Sequence, residues 1–423
     1  MTISTESVVK FLPLVVAALT TLTFVVPSRV GVRAKATWLM VLLACASRGI
    51  VYASFGSGSA RAPDLPQWLL WLWDWACSGL YLLSLLSLVW WVRRGRLVAL
   101  PVLAWGLAAL GMANSLMLPA VREVELAYPD LPAELDGYRI VQLSDLHCCT
   151  SMRGWRTRAI VERINACGPD LVCLTGDYVD GYVAQLADDM APLRDLRARD
   201  GVYAVRGNHE YFLDYAAWRA WFDANGFRFL VNECVFPRRS LALGGVNDPG
   251  CVIYGDVFPN VAKAFAAATN GEFRVLLEHQ PRHALDNFML HGARLQLSGH
   301  THGGIAPGLN LLVSLKNGGR VRGVYKMPGG FLHVSPGVGQ WAGLPFRFFD
   351  PPEISLIVLR RTDQQTKGNT NEGSNVRRNH DAAQPGGVPP LCTGREVRSL
   401  VCGRRGERGR FARELRSGCV VRH

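Results

Sequence analysis

Residues 138–147 have the sequence YRIVQLSDLH. They are predicted to form a β-strand that ends just before Asp145 and His147, two residue types that commonly bind metals. The stretch is rich in apolar and β-branched residues, which favours a buried strand, and Asp145 and His147 follow it directly. The same order recurs twice. Residues 171–175 precede Gly176-Asp177-Tyr178-Val179-Asp180, and residues 202–205 precede Gly207-Asn208-His209-Glu210. The recurrence predicts that these polar side chains lie at the ends of neighbouring strands.

Two later motifs continue the pattern. Glu278-His279 follows a candidate strand at 273–277, and Gly299-His300-Thr301-His302-Gly303-Gly304 follows another at 295–297. Each motif alone has an ordinary structural interpretation, such as a turn or a hydrogen-bonded interior histidine. Five of the ten histidines nevertheless lie inside the five motifs, and this concentration favours one common site.

These residue types favour a site for two metal ions. The carboxyl ends of parallel strands converge at one edge of a sheet, so ligands that are distant in sequence can meet there. One carboxylate can bridge two cations about 3.5–4 Å apart, and a bridging water becomes hydroxide near neutral pH. Imidazole, carboxylate and amide ligands without a thiolate favour Mn, Fe or Zn over Mg or Ca.

The rest of the chain outlines four parts: a membrane part at 1–120, a linker at 121–136, a soluble domain at 137–361 and a disordered basic tail at 362–423. Further strands are predicted at 241–246, 331–334 and 354–359, and helices at 155–166, 184–197, 215–225 and 261–268. The alternation of strands and helices predicts an α/β domain with two packed sheets and helices outside them.

The motifs D-x-H, GDxxD, GNHE, H and GHTH, in this order, resemble those of the calcineurin-like metallophosphoesterase superfamily. GHTHGG and the Pro-Pro-Glu-Ile ending at 351–354 are similar to its membrane-bound bacterial branch. The resemblance covers about 137–361. It implies a four-layer α/β/β/α sandwich and dinuclear-metal-dependent hydrolysis of phosphoesters, by a phosphodiesterase or a phosphatase.

The resemblance also implies a role for each motif residue. Asp145, His147 and His302 would bind the first metal, Asp177 would bridge, and Asn208, His279 and His300 would complete the second site. His209 would be catalytic, as an acid or hydrogen-bond donor to the leaving oxygen, and Glu210 would orient it. Asp180 would support the ligands, and Ile305 stands where many relatives have Gln, which affects substrate contacts.

Four apolar stretches of near-spanning length precede the soluble domain, at 11–27, 36–55, 67–92 and 97–119. The loops after the first and third stretches are basic, with Arg29, Arg33, Lys35, Arg93, Arg94 and Arg96. Because positive loops stay in the cytoplasm, the order predicts a multi-pass protein of the inner membrane whose catalytic domain lies on the extracytoplasmic side. That location favours an envelope or lipid-linked substrate.

Two charged residues lie inside the apolar stretches. Arg48 and Asp74 are each about seven residues from the predicted outer end of their helix, a depth of roughly 10 Å at 1.5 Å per residue. Since isolated charges in a membrane are costly, an Arg48–Asp74 ion pair is one prediction. The alternative is that each side chain extends separately to the membrane–water interface.

Charge gives little support to nucleic-acid binding. Residues 362–423 hold twelve Lys/Arg against six Asp/Glu, which is half of the net charge of +12, so the basic character does not belong to a folded surface. No nucleic-acid partner is expected. Two other hypotheses compete with hydrolysis: a non-catalytic metal-binding scaffold that retains the fold, and a membrane sensor.

Overall fold

The computed structural model describes residues 5–55, 59, 62–93, 99–269, 271–306, 308–340, 346–348 and 350–362. The chain divides into one unit at Met1–Thr366 and a second at Lys367–His423. The expected tail at 362–423 lies outside the described residues except for Thr362.

The apolar N-terminal region forms five helices. They are α1 (Thr5–Thr20, continued by a π-helical turn at Thr21–Val25), α2 (Val32–Ala46), α3 (Arg48–Ser54), α4 (Gln67–Arg93) and α5 (Ala99–Leu116). By length and composition, α4 and α5 are long enough to cross a membrane, and α2 with α3 counts as a third span if the 45° bend between them is included. The first apolar stretch forms a shorter helix, so only part of the predicted four-span region is found.

The bend between α2 and α3 falls at Ser47, where one uninterrupted helix was expected. Ser47 donates to the carbonyl of Ala44, and a Cβ at Gly49 would lie 2.5 Å from the carbonyl oxygen of Lys10. Helices bend sharply at such Ser and Gly positions. The bend brings Arg48 onto α4, where its Nε lies 2.6 Å from Asp74 Oδ1, so the predicted ion pair is confirmed.

Sheet I contains six strands in the order β1-β12-β2-β3-β4-β5. They are β1 (Ala120–Tyr128), β2 (Arg139–Leu143), β3 (Leu171–Leu174), β4 (Val202–Ala204), β5 (Arg228–Phe229) and β12 (Glu353–Arg361). The predicted linker at 121–136 is wrong over its first half, because β1 pairs with β12 along nine residues.

Sheet II contains the other six strands in the order β10-β11-β9-β8-β7-β6. They are β6 (Glu233–Arg238), β7 (Leu241–Gly245), β8 (Phe273–Leu277), β9 (Leu295–Ser298), β10 (Gly323–Met327) and β11 (Gly330–Val334). β7, β8, β9 and β11 are parallel, and the antiparallel strands β6 and β10 form the two edges.

Helices cover the outer surfaces of both sheets. Three of them, α6 (Gly154–Ala166), α7 (Val183–Met190) and α8 (Tyr215–Ala224), pack on sheet I, while α9 (Val261–Ala264) and α10 (Ala284–His291) pack on sheet II. Ile140 and Ile357 of sheet I meet Leu243 and Val275 of sheet II in the core between the sheets. The result is a mixed α/β fold in four layers. A further helix, α11 (Leu309–Lys316), has no buried residue.

Strand directions bring the carboxyl ends of the central strands towards α5. Only residues 117–119 separate α5 from β1. β1 is parallel to β12 and β12 is antiparallel to β2, so β2, β3 and β4 run back towards the end of α5. We call this border of the two sheets the site edge, because all five motifs follow strands that end there.

Candidate metal centre

The motif residues lie in sharp turns after the strands of both sheets. Asp145, His147, Asp177, His300 and His302 all have a positive φ, between 45° and 72°. They make up five of the eight non-glycine residues with positive φ in the described part of the chain. Such backbone costs energy for residues with a side chain and concentrates at functional sites, so the turns serve to aim these side chains.

The first cluster joins Asp145 and His147, which follow β2, to His302, which follows β9. His302 Nε2 lies 3.4 Å from Asp145 Oδ1 and 3.0 Å from His147 Nε2. All three side chains are buried, and their ligand atoms lie within 4.8 Å of one another. Two ring nitrogens at 3.0 Å need a proton or a cation between them, and the cluster is therefore a candidate metal site.

The second cluster contains Asp177, His279 and His300. His279 Nδ1 lies 2.7 Å from the carbonyl oxygen of Thr175, which can only accept a hydrogen bond, so Nδ1 carries a hydrogen. The lone pair of His279 Nε2 then points at Asp177 Oδ2, 3.1 Å away. Two acceptors at this distance require a proton on Nε2 or a cation.

Two buried polar atoms support the metal interpretation. Asn208 Oδ1 and His279 Nε2 are buried and have no hydrogen-bond partner. Buried polar atoms are almost always paired, and an exception calls for an explanation such as an ion. An amide oxygen and a neutral imidazole nitrogen are both ligands for a divalent cation, so the residues present fit a metal in this pocket.

Asp177 lies between the two clusters. Its Oδ2 is 3.8 Å from His147 Nε2 on one side and 3.1 Å from His279 Nε2 on the other. Its Oδ1 accepts a hydrogen bond of 2.8 Å from the backbone N–H of His209. The geometry suits a carboxylate shared by two cations.

Asp180 holds two imidazole rings at once. Its Oδ2 lies 2.8 Å from His147 Nδ1 and its Oδ1 lies 2.5 Å from His209 Nδ1. Glu210 instead accepts backbone N–H groups of Asp177 and Gly207, at 2.9 and 2.7 Å. The expectation that Glu210 orients His209 is therefore wrong, because its carboxylate is occupied by the backbone and Asp180 makes the contact with the ring.

Electrostatics keep the carboxylates charged and one imidazole neutral. Burial opposes ionisation of Asp145 and Asp177, but His302 and His279 respectively outweigh it and hold both pKa values below their usual range. Burial, assisted by neighbouring His279, lowers the pKa of His300 to about 4. For His147 and His279, burial is outweighed by Asp180 and Asp177 respectively, which raise the pKa values of these two rings. Because metals bind the neutral imidazole, a cation bound here would displace their protons.

Arg347 lies at the site although it belongs to none of the five motifs. Its guanidinium is buried and lies 3.2 Å from His302 Nδ1, while it also donates to the carbonyl oxygens of Pro336 and Gly339. Its backbone N–H donates to Gly111 of α5, and its carbonyl accepts from Asn114 of the same helix. No local pattern predicts a contact between a helix and a loop more than 200 residues apart.

A second loop at the site edge contacts α4. Gln67 and Trp71 both donate side-chain hydrogen bonds of 2.9 Å to the carbonyl of Ser151, a few residues after His147. Ser115 of α5 donates to Gln340 at 3.0 Å. The edge that carries the metal clusters therefore lies directly against the ends of the two candidate membrane spans.

Two adjacent metal sites are used by phosphatases, nucleases and aminopeptidases, among other enzymes. Residues 138–304 match the family described as calcineurin-like phosphoesterase. A metallophosphoesterase of Helicobacter pylori is 32% identical over 60% of this chain and 67% of its own, and one of Aquifex aeolicus is 30% identical over 52% and 85%. The chain belongs to the calcineurin-like metallophosphoesterase family, and it is a metal-dependent phosphoesterase.

Relatives also include membrane proteins. A protein of Danio rerio named "Transmembrane protein with metallophosphoesterase domain" is 33% identical over 60% of each chain. Together with α4 and α5 as candidate spans, this relationship indicates that the present chain is membrane-associated.

Proposed function

We propose that the chain hydrolyses phosphoesters with two divalent cations bound by seven side chains. The first set is Asp145, His147 and His302, the second is Asn208, His279 and His300, and Asp177 is shared. The observation that carries the proposal is the position of Asp177 between two clusters, next to the unpaired buried atoms of Asn208 and His279. Neither a structural ion pair nor a packed core needs that arrangement.

The bound cations would activate water and neutralise charge on the phosphoryl oxygens. Oxygen and imidazole ligands favour Mn, Fe or Zn for this role. The task of the protein is to fix the ligands in place, and it does so with hydrogen bonds. Ser144 Oγ lies 2.6 Å from Asp145 Oδ2, and the backbone N–H of His300 donates to the same carboxylate.

His209 is the proposed proton donor to the leaving oxygen. Its Nε2 lies 3.9 Å from Asp177 Oδ2, which places that edge of the ring at the metal pocket. Asp180 holds the opposite nitrogen, Nδ1, and thereby sets the orientation of the ring. Glu210 acts one step further away, because it fixes the backbone of Asp177 and Gly207.

For the membrane, we propose four spans with the catalytic domain on the extracytoplasmic side of the inner membrane. This orientation is supported by Arg29, which lies between α1 and α2, and by Arg33 and Lys35 in the first turn of α2, while Arg94 and Arg96 lie outside the described residues. The contacts of α4 and α5 with the site edge support a substrate that carries its phosphoester near a lipid surface, such as an envelope or lipid-linked phosphoester.

The test is hydrolysis of p-nitrophenyl phosphate and bis-p-nitrophenyl phosphate by the full chain in detergent with Mn²⁺. The Asp177→Asn variant should lose turnover by about 10³-fold or more, since the metal pair supplies several kcal/mol of transition-state stabilisation. Metal content by mass spectrometry should fall from two ions per chain in the same variant. The control is Asp188→Asn, an exposed carboxylate on α7, which should leave turnover and metal content unchanged.

Equal turnover in the Asp177→Asn variant would refute the assignment. Two bound ions without turnover on any phosphomonoester, phosphodiester or lipid-linked phosphate would favour a metal-binding scaffold instead. Relative rates on the monoester and the diester would show which of the two bond types the enzyme prefers.

A further inference from the structure

Exposed apolar side chains concentrate in two segments at the site edge. After residue 120, the described residues expose fifteen large apolar side chains, and eight of them lie in residues 252–258 and 309–316. We call these two segments the apolar rim. Clustered apolar exposure of this kind marks an interaction surface in a soluble domain.

The topology places the apolar rim on the border nearest the membrane helices. Residues 246–260 form the connection that leaves the carboxyl end of β7, and residues 299–322 leave the carboxyl end of β9. Gly250 lies close to Asn208, since a Cβ there would be 3.5 Å from the Asn208 Cα. Both segments of the rim thus flank the metal clusters.

The second segment is continuous with the contact made by α5. The backbone N–H of Phe348 donates to the carbonyl of Ile305, between the metal ligand His302 and α11. The preceding residue, Arg347, is hydrogen-bonded to Gly111 of α5. Backbone hydrogen bonds therefore connect α5, through Arg347 and Phe348, to the loop that precedes α11.

The composition of α11 matches a lipid interface. Leu311, Leu312 and Leu315 are exposed by 63%, 58% and 73%, and their spacing of one and four residues places them on one face of the helix. The exposed cations Lys316 and Arg282 lie beside them, because Arg282 Nε donates to the carbonyl of Lys316. Apolar side chains next to Lys and Arg are typical of segments that lie in the headgroup region of anionic membranes.

We propose that the apolar rim lies in the lipid interface of the same bilayer that holds α4 and α5. Leu311, Leu312 and Leu315 enter the boundary between headgroups and acyl chains, and Arg282 and Lys316 contact anionic headgroups. The domain is thereby held on the membrane at two places, the α5 contact and α11, with the metal clusters between the rim segments.

The test uses the full chain in nanodiscs of phosphatidylcholine and phosphatidylglycerol that contain a phosphatidylcholine with a diazirine in its acyl chain. After irradiation, peptide mass spectrometry should find lipid on 309–316 and 252–258. The control peptide is 233–238. Its Phe236 is also an exposed apolar residue, but it belongs to β6, the outermost strand of sheet II, and not to the apolar rim. This peptide should carry no lipid.

A variant tests the cations. Arg282→Gln with Lys316→Gln should reduce labelling of 309–316 in discs with phosphatidylglycerol and leave it unchanged in discs of phosphatidylcholine alone. The melting temperature, compared with that of the unsubstituted chain, reports that the variant is folded. Labelling itself requires no hydrolysis, so a failure of the proposed reaction and a failure of the proposed surface are distinguishable.

Three results would overturn the proposal. The first is labelling of 309–316 no higher than that of 233–238. The second is labelling that is unaffected by the Arg282 and Lys316 substitutions in anionic discs. The third is two chains per disc by light scattering together with cross-links between α11 of both copies, which would make the rim an interface between chains.

Discussion

The membrane helices and the metal centre each bury a cluster of charges, and the two clusters differ in whether their polar atoms are satisfied. In the membrane part, Asp74 receives hydrogen bonds from Arg48 Nε at 2.6 Å and from Tyr52 at 3.2 Å. In the metal centre, Asn208 Oδ1 has no hydrogen-bond partner, and the unpaired His279 Nε2 faces the carboxylate of Asp177 at 3.1 Å. A closed network is complete by itself, whereas unpaired buried atoms grouped at one place call for an explanation such as a bound ion.

The backbone shows the same difference. Arg48 and Asp74 lie in right-handed helices, Arg48 at the start of α3 and Asp74 within α4, while five of the candidate ligands have a left-handed backbone. Strain is retained where it aims a side chain. The comparison therefore separates charges that hold the fold together from charges that bind something, and substitutions in each cluster should produce different losses.

After Asp177→Asn, the largest effect is expected for His209→Ala. Loss of a proton donor typically costs about 10²–10⁴-fold in turnover, and metal content and melting temperature should stay the same because His209 is outside the seven ligands. The measurement is kcat with a phosphodiester at saturating Mn²⁺, and His283→Ala, an exposed histidine, is the control. An unchanged kcat would exclude His209 from the chemistry.

The membrane cluster should respond in stability and not in chemistry. Asp74→Asn should cost about 3–5 kcal/mol of unfolding free energy, because it leaves the Arg48 charge buried without a partner. In the Arg48→Gln background the same substitution should cost much less. Unfolding in detergent, followed by near-ultraviolet circular dichroism, measures both values, and equal losses in the two backgrounds would disprove a coupled pair.

A smaller effect is expected for Asp180→Asn. This substitution tests a residue that shares features with both clusters. Asp180 is satisfied like the membrane pair, but its partners are a candidate ligand and the candidate proton donor. Substitution of such a support typically lowers metal affinity or activity about 10–100-fold. Titration of the apo-protein with Mn²⁺ should show weaker binding, and unaltered affinity with unaltered kcat would leave Asp180 a purely structural role.

The sequence predicted the fold wherever a strand has its own local signature. All eight predicted strands form, because each is an apolar run that ends in a motif or a turn. Four strands, β1, β5, β6 and β10, were not predicted. In β1 the exposed charged residues Arg122, Glu123 and Glu125 interrupt the apolar pattern, and its partner β12 is more than 200 residues away. Local pattern carries no information about such a partner.

The proximity of the motif side chains was predicted to a similar extent, while the roles of the individual residues stay a prediction. The motifs follow strand ends, so the topology brings their side chains together, as the clusters of Asp145, His147 and His302 and of Asp177, His279 and His300 illustrate. The contacts of Asp180 and Glu210 were not predictable, because Glu210 is next to His209 in sequence and yet its side chain turns to the backbone of Asp177. Adjacent residues in a tight turn point in different directions, which spacing alone does not reveal.

The connection between α5 and β1 consists of residues 117–119, and three residues reach at most about 10 Å. The catalytic domain therefore cannot move away from the membrane that holds α5. For a phosphoester that resides in the same leaflet, encounters take place in two dimensions, and their frequency follows the number of substrate molecules per unit area of membrane. Changes in lipid composition would then regulate the rate without any change in the enzyme.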